Sequence, residues 1–397
     1  MVIFKQFRKG IIILKKNTIN RYTKVLTSTA KRYLGGIDKT HDIRHLTFEV
    51  TNLCNSKCEM CHIWANKKNP NELTTEEIEV FFSDPVLKNL EDVIITGGEA
   101  FVRDDLVEIV EFIWKINQNT NITLSTNGIL SEKICEVAEK LSSKKIPILY
   151  GISLDGLGEK HNSRRRIDDN FEIIDQKLIP GLKAIEEKNP GYIHISVGHC
   201  LDEYGSKTFD EVKSYCEEKN IGFMTQLIED FDYYLPEKKQ KKIQGDWKKI
   251  HEVKVGFEGD NRLMKKDIYS DDKNKYINLI DQLPPTVHHY RLINVLNGKN
   301  AKYECSSMRN FFLLKYDGAV TPCLRFCTTE LGNIKKTSIS SLLNSNDRVE
   351  AVEEIIKCEG CLNTWCTDWS MEKNAVPFKA EVAKWAKNKV ISKLIGQ

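Results

Sequence analysis

The sequence has no apolar run approaching the roughly 20 residues that a membrane-spanning helix needs. Ile11–Leu14 is too short for a secretory h-region, and no small-residue cleavage site follows it. The expected location is therefore the cytoplasm. Net charge is also scarce. At +3 it is too small to argue for nucleic acid as a partner. Internal repeats and low-complexity tracts are missing as well, so the 397 residues suit one large α/β domain with a smaller companion. Acid is absent altogether from residues 1–37, which hold Lys5, Arg8, Lys9, Lys15, Lys16, Arg21, Lys24, Lys31 and Arg32. The remainder of the chain is accordingly net acidic. Phe4, Phe7, Ile11 and Leu14 share one helical face in this segment. The commoner use of such a helix is to pack on the main domain, and the other is peripheral contact with an anionic membrane.

Cysteine, by contrast, is plentiful and unevenly spread. Of twelve, three lie within Cys54–Cys61 and six within Cys305–Cys366, leaving Cys135, Cys200 and Cys216 apart. Without a secretory signal, clustered cysteines read as metal ligands rather than disulfides. Strands are predicted at His45–Val50, Val93–Thr96, Ile122–Ser125, Ile148–Leu154, Ile193–Val197 and Gly222–Leu227. Helices are predicted at Thr74–Phe82, Asp104–Asn117, from Ser131, at Phe171–Lys188 and at Phe209–Lys219. This alternation is that of a parallel sheet wound by right-handed crossovers, with chemistry-bearing residues just beyond the strand ends. The expected organisation is a basic segment at 1–43, a core at 44–232, a helical linker at 233–300, a cysteine-rich domain at 301–372 and a C-terminal helix within 373–397.

The first cluster, Cys54-Asn-Ser-Lys-Cys58-Glu-Met-Cys61, directly follows a strand. Three thiolates on one loop can hold three irons of a cubane and leave the fourth open to a ligand. A structural zinc site wants four ligands, and His62, adjacent to Cys61, is poorly placed to be the fourth. The motif resembles that of the radical S-adenosylmethionine (SAM) superfamily, with Met60 in the large apolar position before the last cysteine. The resemblance covers residues 45 to about 230 and implies a partial (β/α)6 barrel. It also implies a [4Fe–4S] cluster on Cys54, Cys58 and Cys61 whose open iron is chelated by the methionine amino and carboxylate groups of SAM. Electron transfer then yields methionine and a 5′-deoxyadenosyl radical that takes hydrogen from a substrate, with a flavodoxin or ferredoxin as reductant.

Supporting motifs follow in order. Gly97-Gly98-Glu99 is similar to the family's GGEP motif, with Ala100 in place of the proline; Glu99 would accept from the methionine ammonium. Ser125-Thr126-Asn127-Gly128 and Ser153-Leu154-Asp155-Gly156 resemble the segments that bind the ribose and methionine parts of SAM, through Ser125, Asn127, Ser153 and Asp155. Both are equally ordinary turn sequences. In His161-Asn-Ser-Arg-Arg-Arg166, Arg165 aligns with a family arginine that suits the methionine carboxylate. Arg166 stands where relatives have glycine, and the choice among the three arginines stays open, as does a merely solvated loop. His199 and Gln226, at the ends of two strands, are the candidates for lining the substrate cavity, although a core histidine is as common.

The second cluster resembles the auxiliary-cluster region called SPASM, or its shorter version, twitch. Asp317-Gly-Ala-Val-Thr-Pro-Cys323 and Leu331-Gly-Asn-Ile334 carry that resemblance. A hairpin would bring Cys305 and Cys323 to Cys358 and Cys361, giving one auxiliary [4Fe–4S] cluster, with Cys327 and Cys366 as alternative ligands. Ser370 stands where the fuller pattern has a further cysteine. A zinc ribbon is the alternative.

A single auxiliary cluster points toward oxidation or modification of a small metabolite, sugar or envelope precursor. Maturation of a ribosomally made peptide is the second expectation; only about 44 residues precede the first strand, too few for a separate peptide-binding domain. A non-enzymatic electron carrier is the third. The cysteine count makes one prediction. A chain with Cys54, Cys58 and Cys61 all replaced by alanine should keep about four irons and four sulfides. About eight irons would mean two auxiliary cubanes, and zinc with little iron would mean a ribbon.

Overall fold

A computed structural model describes residues 41–227 and 305–356, with residues 234, 235, 278, 293 and 370. The basic segment up to residue 40, the linker apart from the residues named, Cys358, Cys361, Cys366 and the C-terminal helix lie outside the described residues.

Six strands appear where the alternation requires them: β1 (His45–Glu49), β2 (Asp92–Thr96), β3 (Asn121–Thr126), β4 (Ile148–Ser153), β5 (Ile193–Leu201) and β6 (Gly222–Leu227). Each is parallel to the next. Helices α1 (Thr75–Phe82), α2 (Leu106–Ile116), α3 (Ser131–Ser143), α4 (Glu159–Arg165), α5 (residues 170–188) and α6 (Gly205–Glu218) make the connections. The start of α1 is encoded locally. The Thr74 hydroxyl accepts from the Glu77 amide at 3.2 Å, and the Glu77 carboxylate accepts from the Thr74 amide at 2.9 Å, a reciprocal cap that satisfies two end groups.

Two local departures from expectation have physical causes. Helix α4 occupies a stretch read as a loop, because its buried residues are His161, Asn162, Arg164 and Arg165. A polar buried face gives no hydrophobic periodicity to detect. Within α5, Ile174–Leu178 winds as a π-helical turn. Ile174 and Leu178 there press on Gly128, where a Cβ would lie 2.7 Å from Ile174 Cγ1.

The larger surprise is long-range. The cysteine-rich region continues the main sheet rather than standing beside it. β7 (Phe311–Leu314) lies parallel to β1, and β8 (Ala319–Thr321) and β9 (Gly332–Asn333) follow antiparallel. The order is β6-β5-β4-β3-β2-β1-β7-β8-β9, an unclosed sheet. Gly318, at φ +88°, makes the β7–β8 turn, a left-handed position that glycine adopts without strain. Two short helices, α7 (Ile339–Leu343) and α8 (Asn346–Ile355), complete this part. Phe312 of β7 meets Phe81 of α1 edge-on at 6.4 Å, and Phe81 meets Phe82 at 4.9 Å. The Leu73 amide donates to the Tyr316 carbonyl at 2.7 Å, and Asp84 accepts from the Ser340 amide at 3.0 Å. Among the described residues, no helix is long and apolar enough to cross a membrane.

The continuous sheet makes a prediction. A chain ending at residue 300 loses β7, bares the β1 edge and uncovers Phe81. Open strand edges beside apolar surface aggregate. This truncation should elute as aggregate in size-exclusion chromatography, and a monodisperse folded core would refute the packing described.

Candidate active site

The loop after β1 carries the three cysteines, and the loop after β2 lies directly on it. The Gly98 amide donates to the Thr51 carbonyl at 2.9 Å, and the Glu99 amide to the Leu53 carbonyl at 2.8 Å. Nothing larger than glycine fits. A Cβ on Gly97 would lie 2.4 Å from the Thr51 oxygen, and one on Gly98 2.0 Å from the Leu53 oxygen. Gly97 also sits at φ +142°. The glycines therefore serve an approach of backbone to backbone. From the far side, Glu72 accepts from the Thr51 hydroxyl at 2.6 Å and from the Asn52 amide at 3.2 Å. Arg103, paired with Asp105, donates to the Val50 and Leu73 carbonyls.

The cysteine loop is also docked on the last turn of α4. The Glu59 amide donates to the Arg164 carbonyl at 3.0 Å, and the Ser56 hydroxyl to the Arg165 carbonyl at 3.3 Å. These are carbonyls that a helix end leaves without intrahelical partners. The helix stops there because Arg166 turns left-handed, at φ +54°. A glycine would take this conformation without the steric cost that a non-glycine residue pays.

Each of the three sulfurs faces a donor. The Ser56 amide donates to Cys54 Sγ at 3.5 Å, and the Ser56 hydroxyl lies 2.9 Å from Cys58 Sγ. Arg165 Nη1 donates to Cys58 Sγ at 3.6 Å, and the Ile63 backbone amide points at Cys61. Burial pushes the Cys54 and Cys61 thiols up to about 12. Donors aimed at one buried and two half-buried cysteines suit thiolates held by a metal, which supplies the positive charge that desolvation otherwise denies them. Among the described residues, no three His, Cys, Asp or Glu side chains converge as ligands of a single ion would. A cubane takes each thiolate on a separate iron. The donors at the cysteine sulfurs fit the cluster that the motif implies. Met60, half-buried, forms part of the turn between Cys58 and Cys61.

Glu99 is 2% exposed. Its carboxylate accepts from the Asn127 amide at 2.7 Å, the Thr126 hydroxyl at 2.9 Å and the Phe101 amide at 3.3 Å. Burial nevertheless outweighs these bonds and raises the carboxyl to about 7. Such a group gains from a cationic partner. Asn127 in addition donates through its side chain to Asn55 in the cysteine loop, at 2.7 Å. Ser125 and Ser153 sit half-buried near the ends of β3 and β4. The register Ser125↔Gly151 places both serines on the same face of the sheet.

Asp155 is buried beyond β4. Its Oδ1 accepts from the Cys200 amide at 2.9 Å, while Oδ2 lies 2.7 Å from Arg165 Nη2, an ion pair that falls outside well-aligned hydrogen-bond geometry. Burial works to raise its carboxyl, but Arg165 and its neighbours prevail and hold it near 2. His161 accepts from the Asp155 amide at 3.1 Å and is driven by burial to about 3, so it is neutral. Arg164 takes a different course. It pairs with Asp202, lies 3.6 Å from Glu59 and stacks 4.8 Å above the Tyr204 ring. Of the three arginines, Arg165 is the one that reaches a cysteine sulfur.

The two cavity candidates separate. His199 is 1% exposed, bonds Thr208 at 3.2 Å and packs against Phe209 of α6 and Phe223. It belongs to the core on the helix side of the sheet. Alternation puts the next residue, Cys200, on the opposite face, where its register partner is Gln226. Both are half-buried. Sequence position alone did not tell the face of His199 from that of Cys200.

In the second cluster, Cys305 and Cys327 are buried and Cys323 is half-buried. The Ser307 hydroxyl donates to the Pro322 carbonyl at 2.6 Å, bringing the segments of Cys305 and Cys323 side by side. Ser370 is buried, and its hydroxyl accepts from the Ser306 amide at 3.0 Å. The position where relatives carry a further cysteine thus lies beside Cys305.

The close contact at Gly98 is testable. Gly98→Ala must push the two loops apart, and overpacking of this kind costs about 1–3 kcal/mol. The purified variant should melt several degrees lower and retain less iron than wild type. An unchanged melting temperature would contradict the contact.

Comparison with known proteins agrees with this geometry. The Radical SAM superfamily profile matches residues 48–221, and the SPASM profile, an iron–sulfur cluster-binding domain, matches residues 305–366. A curated relative named "Probable GTP 3',8-cyclase", from Methanococcus aeolicus, is 28% identical over 287 residues, covering 71% of this chain and 86% of its own. The structure titled "Native anSMEcpe with bound AdoMet and Cp18Cys peptide" shares the fold at a TM-score of 0.52 and 20% identity, over 89% of this chain and 98% of that one. Streptococcus suis SuiB, solved bound to precursor peptide SuiA, does so at 0.54 and 15%, over 87% of this chain and 76% of that one. The chain carries a radical SAM domain over residues 48–221 and, behind it, a SPASM iron–sulfur cluster-binding domain over residues 305–366.

Proposed function

We propose that Cys54, Cys58 and Cys61 hold the [4Fe–4S] cluster of a radical SAM enzyme that takes a hydrogen atom from a small-molecule substrate. The observation that carries this reading is the set of donors aimed at the three cysteine sulfurs, one backbone hydrogen bond away from Glu99. Bound there, the cluster supplies the electron that divides SAM into methionine and the hydrogen-abstracting deoxyadenosyl fragment. The protein's own part is positioning. Glu99 accepts from the methionine ammonium, and its burial makes that cation welcome. Gly97 and Gly98 keep the wall of the site free of side chains. Ser125, Asn127 and Ser153 offer hydroxyl and amide groups to the ribose and the methionine. Met60 supplies an apolar surface beside the cysteine loop, and Gln226 with Cys200 lines the face where substrate would lie.

Cys305 and Cys323, with Cys358 and Cys361, would hold the auxiliary cluster, which would take an electron from the substrate radical left by hydrogen abstraction and so complete a two-electron oxidation. A flavodoxin or ferredoxin is the reductant. The relatives named GTP 3′,8-cyclase support a small-molecule substrate. The second reading, a peptide maturase, is supported by the solved neighbours that hold peptides. Incubating the anaerobically reconstituted, dithionite-reduced chain with SAM tests the reading. 5′-Deoxyadenosine should form, and the triple alanine variant of Cys54, Cys58 and Cys61 should form none. Stimulation by nucleotides or sugars would favour the first substrate class, and stimulation by peptides the second.

Glu99 makes a pH prediction. Below about 7 the carboxyl takes up a proton and can no longer pair with the ammonium. Calorimetric SAM affinity of the wild type should therefore weaken as the pH falls from about 8 to about 6. Losing a charge-assisted hydrogen bond costs about 1.5–3 kcal/mol. Glu99→Ala should accordingly bind about 10- to 150-fold more weakly at the higher pH and lose the pH dependence. An affinity equal to wild type would reduce Gly97–Glu99 to a turn.

A further inference from the structure

The guanidinium of Arg165 does not stand open for a substrate group. It is buried between an anion and a cysteine: Nη2 lies 2.7 Å from Asp155 Oδ2, and Nη1 donates to Cys58 Sγ at 3.6 Å. Its own backbone carbonyl is bonded by the Ser56 hydroxyl, which lies 2.9 Å from the same sulfur. Asp155 is in turn held by the Cys200 amide and, through its own amide, by His161. The cation is thus pinned at both ends, by the Asp155 carboxylate at one and the Cys58 sulfur at the other.

We propose that Arg165 is a positioning residue for electron transfer: through Cys58 it sets the reduction potential of the primary cluster, and Asp155 holds it there. This rests on Cys58 being a cluster ligand, as proposed above. Reduction adds negative charge to a cluster and its thiolates. A cation and a hydrogen bond at a ligand sulfur favour the reduced form and raise the potential. The effect is strong where water does not screen it. Asp155 works in the opposite direction, so the pair leaves a moderated positive field at one of the three sulfurs. Arg165 Nε has no hydrogen-bond partner among the described residues, so a ligand carboxylate could still be received on that edge. Redox control does not depend on it.

The test is a potentiometric titration of the reconstituted full chain without SAM, followed by electron paramagnetic resonance. The primary signal is the one that disappears in the Cys54, Cys58 and Cys61 triple alanine variant. Arg165→Gln should move its midpoint to more negative potential, Arg165→Lys should stay nearer wild type, and Asp155→Asn should move it the other way. Opposite shifts from the two partners are what a merely structural salt bridge would not produce. A wild-type midpoint in Arg165→Gln overturns the proposal. If Arg165→Gln assembles no primary cluster, a wild-type midpoint in Asp155→Asn overturns it instead. If the signal survives in the triple variant, the ligand assignment falls first, and this inference falls with it.

Discussion

Two backbone hydrogen bonds, Gly98 to Thr51 and Glu99 to Leu53, clamp the loop after β2 onto the loop after β1. The clamp is possible only because Gly97 and Gly98 lack side chains. It places a buried carboxylate directly behind the cysteine loop. The Asn127 side chain adds a second tie from the loop after β3, and the end of α4 adds a third through the Arg164 and Arg165 carbonyls. The loop that carries the sulfurs is therefore held on three sides by strand and helix ends, in addition to its own contacts.

Charge is arranged in the same compact way. Glu99 and Asp155 are both buried carboxylates, yet burial leaves one near 7 and a guanidinium holds the other near 2. The difference is a matter of partners. Asp155 already has its cation, Arg165, whereas the hydrogen bonds to Glu99 come from neutral donors, which suits the ammonium partner proposed for it. A site with one satisfied and one waiting carboxylate can bind a zwitterion and keep its own arginine engaged elsewhere. The continuation of the sheet through β7 ties this arrangement to the second cysteine region, with Phe312 and Phe81 in contact across the junction.

Much of this was legible in the sequence. The cysteine spacing, Gly97-Gly98-Glu99 and the alternation of strands and helices are local signals, and each survives as a structural feature. The failures have identifiable causes. Helix α4 was hidden because Arg164, Arg165 and His161 form its buried side. The pairing of β7 with β1 joins residues far apart in the chain, which no local pattern reports. The core and cavity readings of His199 stayed open in the sequence, since in a pleated strand one residue decides which face is reached, and the strand's phase shows only in the structure. Ser56, Asn55 and Glu72, which hold the cysteine loop, are polar residues in turns and carry no signal of their own.

The central claim is that one loop, clamped against Glu99, holds an iron cluster on three thiolates and leaves SAM on the fourth iron. Anaerobic crystals of the full chain grown with SAM, with diffraction recorded at the iron edge, test it most directly. The account predicts a four-iron anomalous peak bounded by Cys54, Cys58 and Cys61, with the SAM amino nitrogen within hydrogen-bonding distance of Glu99. A single metal ion at those cysteines, or SAM bound with its amino group away from Glu99, would contradict it.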